Sequence, residues 1–158
     1  MLAKGANITH NLNPRQSANV QGIPMKFSLE SGAGYSIRSY REGQVEVIAL
    51  ANIPSDSMGG DSVILSSSAI ITPDRLVENW PPASNEKLTC EDLEQVLETE
   101  PELIILGTGT KLVFPRQDIL QVCYQRGIGI EVMDNGAACR TYNVLLSEGR
   151  RVAAALII

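Results

Sequence analysis

Histidine is nearly missing from this chain. One imidazole, His10, is all that 158 residues supply, and it lies in a polar N-terminal stretch. A histidine-based triad or a histidine-rich metal centre is therefore not expected. The three cysteines, Cys90, Cys123 and Cys139, are odd in number and far apart. That spacing fits neither a disulfide framework nor a zinc site, and a reducing cytoplasm suits it best. No metal and no cofactor are expected. Aromatic residues are only 4% of the chain, so aliphatic side chains must fill the core. No apolar run approaches the length of a membrane span, and the start lacks the charge-then-apolar pattern of a signal peptide. Acid is missing before Glu30, where Lys4, Arg15 and Lys26 stand alone, which leaves ten bases against eighteen acids in the remainder. An acidic body argues against nucleic acid or an anionic membrane as the main partner.

What is present reads as one α/β domain behind an arm. Residues 1–24 are rich in Asn, Gln, Gly and Pro, with few apolar anchors, and are expected to be a disordered arm. A single domain follows over 25–158. "KFSLE" and "GYSIRSY" alternate, with Tyr35, Ile37 and Ser39 assigned to one side. Glu42-Gly43 can then turn the chain into "QVEVIAL", giving an antiparallel hairpin. "PSDSMGG" is a loop, and "SVILSSSAII" holds one or two short strands. Thr72-Pro73-Asp74 carries an oxygen cap, a first-turn proline and an acid, so a short helix is expected up to Trp80. Pro81-Pro82 opens a linker loop over 81–88. Thr89 and Asp92 resemble a capping box, with Leu93, Val96 and Leu97 on one face of a helix from 90 to 98.

The period then changes. The pattern predicts a strand over 102–106, a helix over 115–126 closed by Gly127, a strand over 128–132, a helix over 137–148 closed by Gly149, and a central strand over 151–158. Two crossover units require parallel pairing, and the hairpin must add antiparallel strands or a second layer. The fold class is α/β with three layers: a central mixed, mostly parallel sheet, flanking helices and an N-terminal antiparallel β-hairpin.

The chemistry-bearing candidates gather near the carboxyl ends of the parallel strands. Gly107-Thr108-Gly109-Thr110-Lys111 follows a strand, as a phosphate cradle would. Yet the third glycine of a dinucleotide fingerprint falls on Leu112, and the Walker spacing is not met. A tight turn and a weak cradle for an anion or polar ligand stay open. Glu131 points away from Ile130 and Val132, so it is expected to enter the crevice and pair with Arg140 on the next helix; the alternative is a general acid or base. Cys139, in the first turn of that helix, is either a packing residue or a thiolate favoured by the dipole and Arg140. Tyr142 and Asn143, one turn on, are placed to hydrogen-bond across the rim. Trp80 is read as a core plug or a binding anchor.

"LIILGTGTK", "GIGIEVMDNGAACRTYNVLLSEGRRVAAALI", "YSIRSYREGQVEVIAL" and "ENWPP" together resemble one family. It is the family of the adipogenesis-associated domain protein and mitochondrial complex I (NADH dehydrogenase) assembly factor 3, with many bacterial members. The likeness runs over about residues 27–158, and its most specific parts are Glu131-Val132-Met133 and Ala138 to Asn143. Asn135 stands where the family usually has threonine. The resemblance implies a three-layer α/β fold and accessory factors that bind other proteins. It implies no established reaction. The expected function is a non-enzymatic accessory or assembly-type interaction domain with a protein partner. The alternative is an enzyme or binding protein for a small anionic or polar ligand, using a pocket of Gly107, Thr108, Gly109, Thr110, Glu131, Asn135, Cys139 and Arg140.

Overall fold

The computed structural model describes residues 34–50 and 62–158. The expected arm over 1–24, the "KFSLE" strand and the 54–60 loop lie outside them. Every described element belongs to one compact unit, Gly32–Ile158. In chain order the elements are β1 (Gly34–Arg41), β2 (Gln44–Leu50), β3 (Ser62–Leu65), β4 (Ala69–Ile71), β5 (Leu76–Val77), a 3₁₀ turn (Asn85–Lys87), α1 (Cys90–Leu97), β6 (Leu103–Gly107), α2 (Gln117–Gln125), β7 (Gly129–Met133), α3 (Asn135–Ser147) and β8 (Val152–Leu156).

They form two sheets. One has the order β1-β2-β3 and is antiparallel; the other has the order β5-β4-β8-β6-β7. In the larger sheet β6 runs parallel to both β7 and β8, while β4 pairs antiparallel with β8 and β5. The sheet is therefore mixed, with its parallel part built by the two crossovers that the sequence predicts.

Period two sorts each central strand between two cores. Ile104, Leu106, Ala153 and Ala155 face α1 and α2, packing with Leu93, Val96, Leu97, Ile119, Cys123 and Trp80. Ile105, Val152, Ala154 and Leu156 face the other way, onto Ala138, Cys139 and Tyr142 of α3 and Ile37, Val45, Val47 and Leu65 of the small sheet. β8 is buried along its whole length. Its alanines leave room for α3 to approach closely. Burying each Leu, Ile or Val of these faces contributes roughly 1.5–3 kcal/mol.

Local signals hold for α1. The Thr89 N–H donates to Asp92 Oδ2 at 2.9 Å, and the Asp92 N–H donates to Thr89 Oγ1 at 3.3 Å, a reciprocal capping box. Trp80 is buried, and its indole N–H donates to the Asp92 carbonyl at 3.2 Å. It is the expected core plug.

Two local expectations are corrected. No helix follows Thr72. Its hydroxyl accepts from the Arg75 N–H at 2.9 Å, and its own N–H donates to the Arg75 carbonyl at 2.8 Å. The side chain closes a four-residue turn into β5, where Leu76 and Val77 pair with Ile71 and Ile70. A threonine oxygen serves a turn as readily as a helix cap, and tertiary pairing decides between them. In β1 a register shift falls between Ile37 and Ser39. Past this bulge Tyr40, not Ser39, packs towards the core, and the exposed Ser39 bonds Glu46 at 3.0 Å.

Candidate functional site

The loop after β6 and the start of α3 meet at the carboxyl ends of the parallel strands, as expected from the two crossovers. The Thr108 N–H donates to the Met133 carbonyl at 3.0 Å, extending the β6–β7 ladder by one step. Asn135 then joins three chain segments. Its N–H donates to the Gly109 carbonyl at 2.8 Å, and its Oδ1 accepts from the Gly109 N–H at 3.1 Å. Its Nδ2 donates to the Ile157 carbonyl at 2.8 Å. The side chain is buried.

The two glycines are required for different reasons. A Cβ on Gly107 would lie 2.3 Å from Asn135 Oδ1 and 2.7 Å from Leu156 Cδ2. Gly109 has φ +101°, a left-handed conformation open to glycine at little cost. The tight-turn reading accounts for both. Thr108 organises the rest of the loop: its buried hydroxyl donates to the Lys111 carbonyl at 2.7 Å and accepts from the Val113 N–H at 3.0 Å. α2 begins only at Gln117, so the helix that follows in the chain does not bring its N-terminus to this turn. At α3 the capping carboxylate of Asp134 accepts from the Ala137 N–H at 2.9 Å. The amides of Thr108, Gly109, Val113 and Ala137 are thus engaged inside the protein. A phosphate would have to displace these contacts.

The remaining candidates separate. Glu131 is exposed on β7, which is an edge strand, and α3 packs mainly on β1, β8 and β6. The crevice expected beneath Glu131 is therefore open to solvent. Arg140 is exposed as well, and no ion pair joins it to Glu131 among the described residues. The guanidinium instead lies by the helix start, where a Cβ on Gly136 would come 3.5 Å from Arg140 Nη1 and 3.6 Å from Tyr40 Cδ1.

Cys139 is buried in the α3 core. Burial pushes its thiol up to about 12, against a smaller downward pull from Arg140, with the Asp134 charge adding to the rise. It is a packing residue. Tyr40 is also raised, first by burial, then by the charges of Cys139, Glu42 and Asp134. Tyr142 and Asn143 do not reach a rim. The Tyr142 hydroxyl donates to the Tyr35 carbonyl at 2.7 Å. Asn143 Oδ1 accepts from the Ile37 N–H at 3.0 Å, and its Nδ2 donates to the Ile37 carbonyl at 2.7 Å. These side chains fasten β1 to α3.

An open groove of about 540 Å³ adjoins the glycine loop. It brings together four of the expected residues, Thr108, Gly109, Thr110 and Asn135, and leaves out Gly107, Glu131, Cys139 and Arg140. Tyr40, Asn85, Glu86, Lys111 and Ile158 join the lining. Sequence reasoning placed Lys111 in the candidate 107–111 cradle and assigned none of the other four to a site. Lys111 was visible at the end of the glycine turn; Asn85 and Glu86 lie in the expected linker and carry no sequence signal. Beside the groove, Leu112, Val113 and Phe114 are exposed by 49, 44 and 68%. Among the described residues no cluster of His, Cys, Asp and Glu could hold a metal, and no helix is long and apolar enough to cross a membrane.

The geometry has close counterparts. A solved Xanthomonas campestris protein is 43% identical, with a TM-score of 0.64 over 78% of this chain and 84% of that one. A crystal structure of a Bordetella parapertussis protein is 31% identical, with a TM-score of 0.67 over 80% and 97% of the two chains. Mouse NADH dehydrogenase [ubiquinone] 1 alpha subcomplex assembly factor 3 is 39% identical over 90 residues, which are 56% of this chain and 48% of the mouse protein. The chain spans about half the length of the curated assembly factors it matches. A family model described as a protein of unknown function, DUF498/DUF598, matches residues 37–157, and this chain belongs to that family.

Proposed function

We propose that this chain is a non-enzymatic accessory domain of the assembly-factor type, cytoplasmic, that acts by holding another protein. The observation that carries the reading is the loop after β6. Thr108, buried and bonded to both Lys111 and Val113, fixes a turn that displays Leu112, Val113 and Phe114 in sequence. Exposed apolar side chains on a pre-ordered loop lose little entropy on docking and supply the anchors of an interface. The polar groups that a catalytic centre at the switch point would use are bonded to one another through Asn135 and Thr108. Similarity to the complex I assembly factors supports the same class of activity.

The test is a comparison of wild type with the double variant Leu112→Asp, Phe114→Asp. Both side chains are exposed, so the urea midpoint should hold. Each protein is tagged, expressed in its source organism and recovered after crosslinking, with quantitative mass spectrometry of what comes with it. At least one protein should be enriched by wild type, crosslinked at 111–116, and lost with the variant. Identical captured sets, with no crosslink at the loop, would sink the reading.

A further inference from the structure

We infer that Asn135-Gly136 is a spontaneous modification site held shut by the fold: opening of this end of the sheet lets Asn135 deamidate, and the product cannot close it again. The inference is independent of protein docking by the loop. Asn135 is the one asparagine of the chain followed by glycine; every other is followed by a residue that carries a side chain. In an unfolded chain the backbone nitrogen of Gly136 can attack Asn135 Cγ, because glycine has no Cβ to block the approach and turns freely about its backbone. The bond from the Gly136 nitrogen to Cγ forms, the Cγ–Nδ2 bond breaks, and ammonia leaves with the amide proton. Water then opens the five-membered imide at either carbonyl. One product is aspartate; the other is isoaspartate, in which the main chain runs through the former side chain.

The folded protein stops the first step. Asn135 is buried and is the first residue of α3. Both ends of its amide are held, Oδ1 by the Gly109 N–H at 3.1 Å and Nδ2 by the Ile157 carbonyl at 2.8 Å. Closing the imide ring would break both bonds and pull the first turn of the helix out of shape. Neither product can rebuild the site. Aspartate has no Nδ2–H, so the Ile157 carbonyl loses its donor and faces a carboxylate oxygen. The positive end of the α3 dipole offsets little of this, because Asp134 already caps it. Isoaspartate adds a methylene to the main chain where space is short: a Cβ on Gly107 would already lie 2.3 Å from Asn135 Oδ1. An opening that lasts long enough for the chemistry therefore severs the joint between the glycine loop, α3 and the end of β8 for good.

The experiment incubates the full chain in mildly alkaline buffer, with and without denaturing guanidinium, and follows every asparagine by peptide mass spectrometry. Asn135 should convert at least about tenfold faster in the unfolded chain than in the folded one, and faster than any other asparagine of the unfolded chain. Gly136→Ala tests the chemistry. Its Cβ would meet Asp134 Oδ1 at 3.2 Å and Arg140 Nη1 at 3.5 Å, both ends of side chains that can shift, so the variant should fold. Its conversion, read in denaturant and so independent of folding, should slow about tenfold. Converted wild type, separated and refolded, should have a lower urea midpoint, with amide exchange at Gly109 at least about tenfold faster. Asn135→Asp should reproduce this loss or fail to fold. Equal conversion in folded and unfolded chains would show that the fold does not lock Asn135, and would overturn the inference. Unslowed conversion of Gly136→Ala would overturn it too, as would converted protein that regains the wild-type midpoint and the protection of Gly109.

Discussion

The two faces of the five-stranded sheet are closed by different chemistry. Towards α1 and α2 the seal is aliphatic: Leu93, Val96, Leu97, Ile119 and Cys123 cover Ile104, Leu106 and the β8 alanines, with Trp80 filling the margin. Towards α3 the aliphatic layer is backed by named polar contacts. Tyr142 and Asn143 bond the backbone of β1, and Asn135 bonds the ends of β6 and β8. The first face is a stack of generic surfaces. The second must also carry the small sheet, which among the described residues shares no strand pairing with the large one, so side chains on α3 do for β1 what a neighbouring strand would do.

This difference between the faces predicts where damage is greatest. Trp80→Ala on the α1 face removes the largest plug and its bond to Asp92, and should cost about 3–5 kcal/mol in urea unfolding. A loss under about 1 kcal/mol would mean that the margin of this face repacks freely.

Next in size is the response to alkali, in which the two faces should behave alike. Cys123 lies on one and Cys139 on the other, and both are buried. Burial holds the first thiol up to about 11 and the second up to about 12, from an ordinary 9.0. Each native thiol therefore stays protonated where the unfolded one ionises. Below pH 9 the two states bind the same proton and the thiols add no pH dependence. As pH rises from 9 towards 11 the unfolded chain is favoured, and stability falls. Thermal melts between pH 8 and 11 should show this decline, and Cys123→Ala and Cys139→Ala should each flatten part of it. If only one variant does so, the faces are not equally dry.

Asn143→Ala should have a smaller and more local effect. It strands the Ile37 N–H and carbonyl at a partly buried site, for a loss of about 1–2 kcal/mol. Hydrogen exchange should quicken at Ile37 and its strand neighbours while the β6 and β8 amides stay protected. Uniform loss of protection would show that the small sheet and the large one unfold together.

The same contrast explains which parts of the fold were legible. α1, β6, α2, β7 and β8 follow from periodicity, caps and glycine stops because a generic face needs only apolar residues at the right spacing. Tyr142 and Asn143 stood out by residue type, but their targets, the carbonyl of Tyr35 and the backbone of Ile37, lie more than a hundred residues away. No local signal encodes that pairing. The bulge that turns Tyr40 towards the core is equally silent, since a period-two reading cannot foresee an extra residue. At the site, the glycine spacing announced a tight turn, while the role of Asn135 depends on where β8 ends. The groove residues Asn85 and Glu86 come from a linker whose position is set by Ser68: its hydroxyl donates to the Pro82 carbonyl at 2.6 Å and accepts from the Ile158 N–H at 3.1 Å.

Glu131 and Arg140 supply the smallest effect and the sharpest contrast with the polar clamps of α3. A carboxylate flanked by Ile130 and Val132 invites a buried partner if helices cover both sides of its strand. β7 is at the sheet edge, and Glu131 is exposed there, so water solvates the charge and no partner is needed. A charge at this position also discourages another chain from adding a strand to the open edge. Glu131→Gln, Arg140→Ala and the double variant should each lie within about 0.5 kcal/mol of wild type, with a coupling energy near zero. Four urea titrations measure this directly. A coupling above about 1 kcal/mol would mean that the two side chains meet in solution, and that the α3 face extends its polar contacts out to the edge strand.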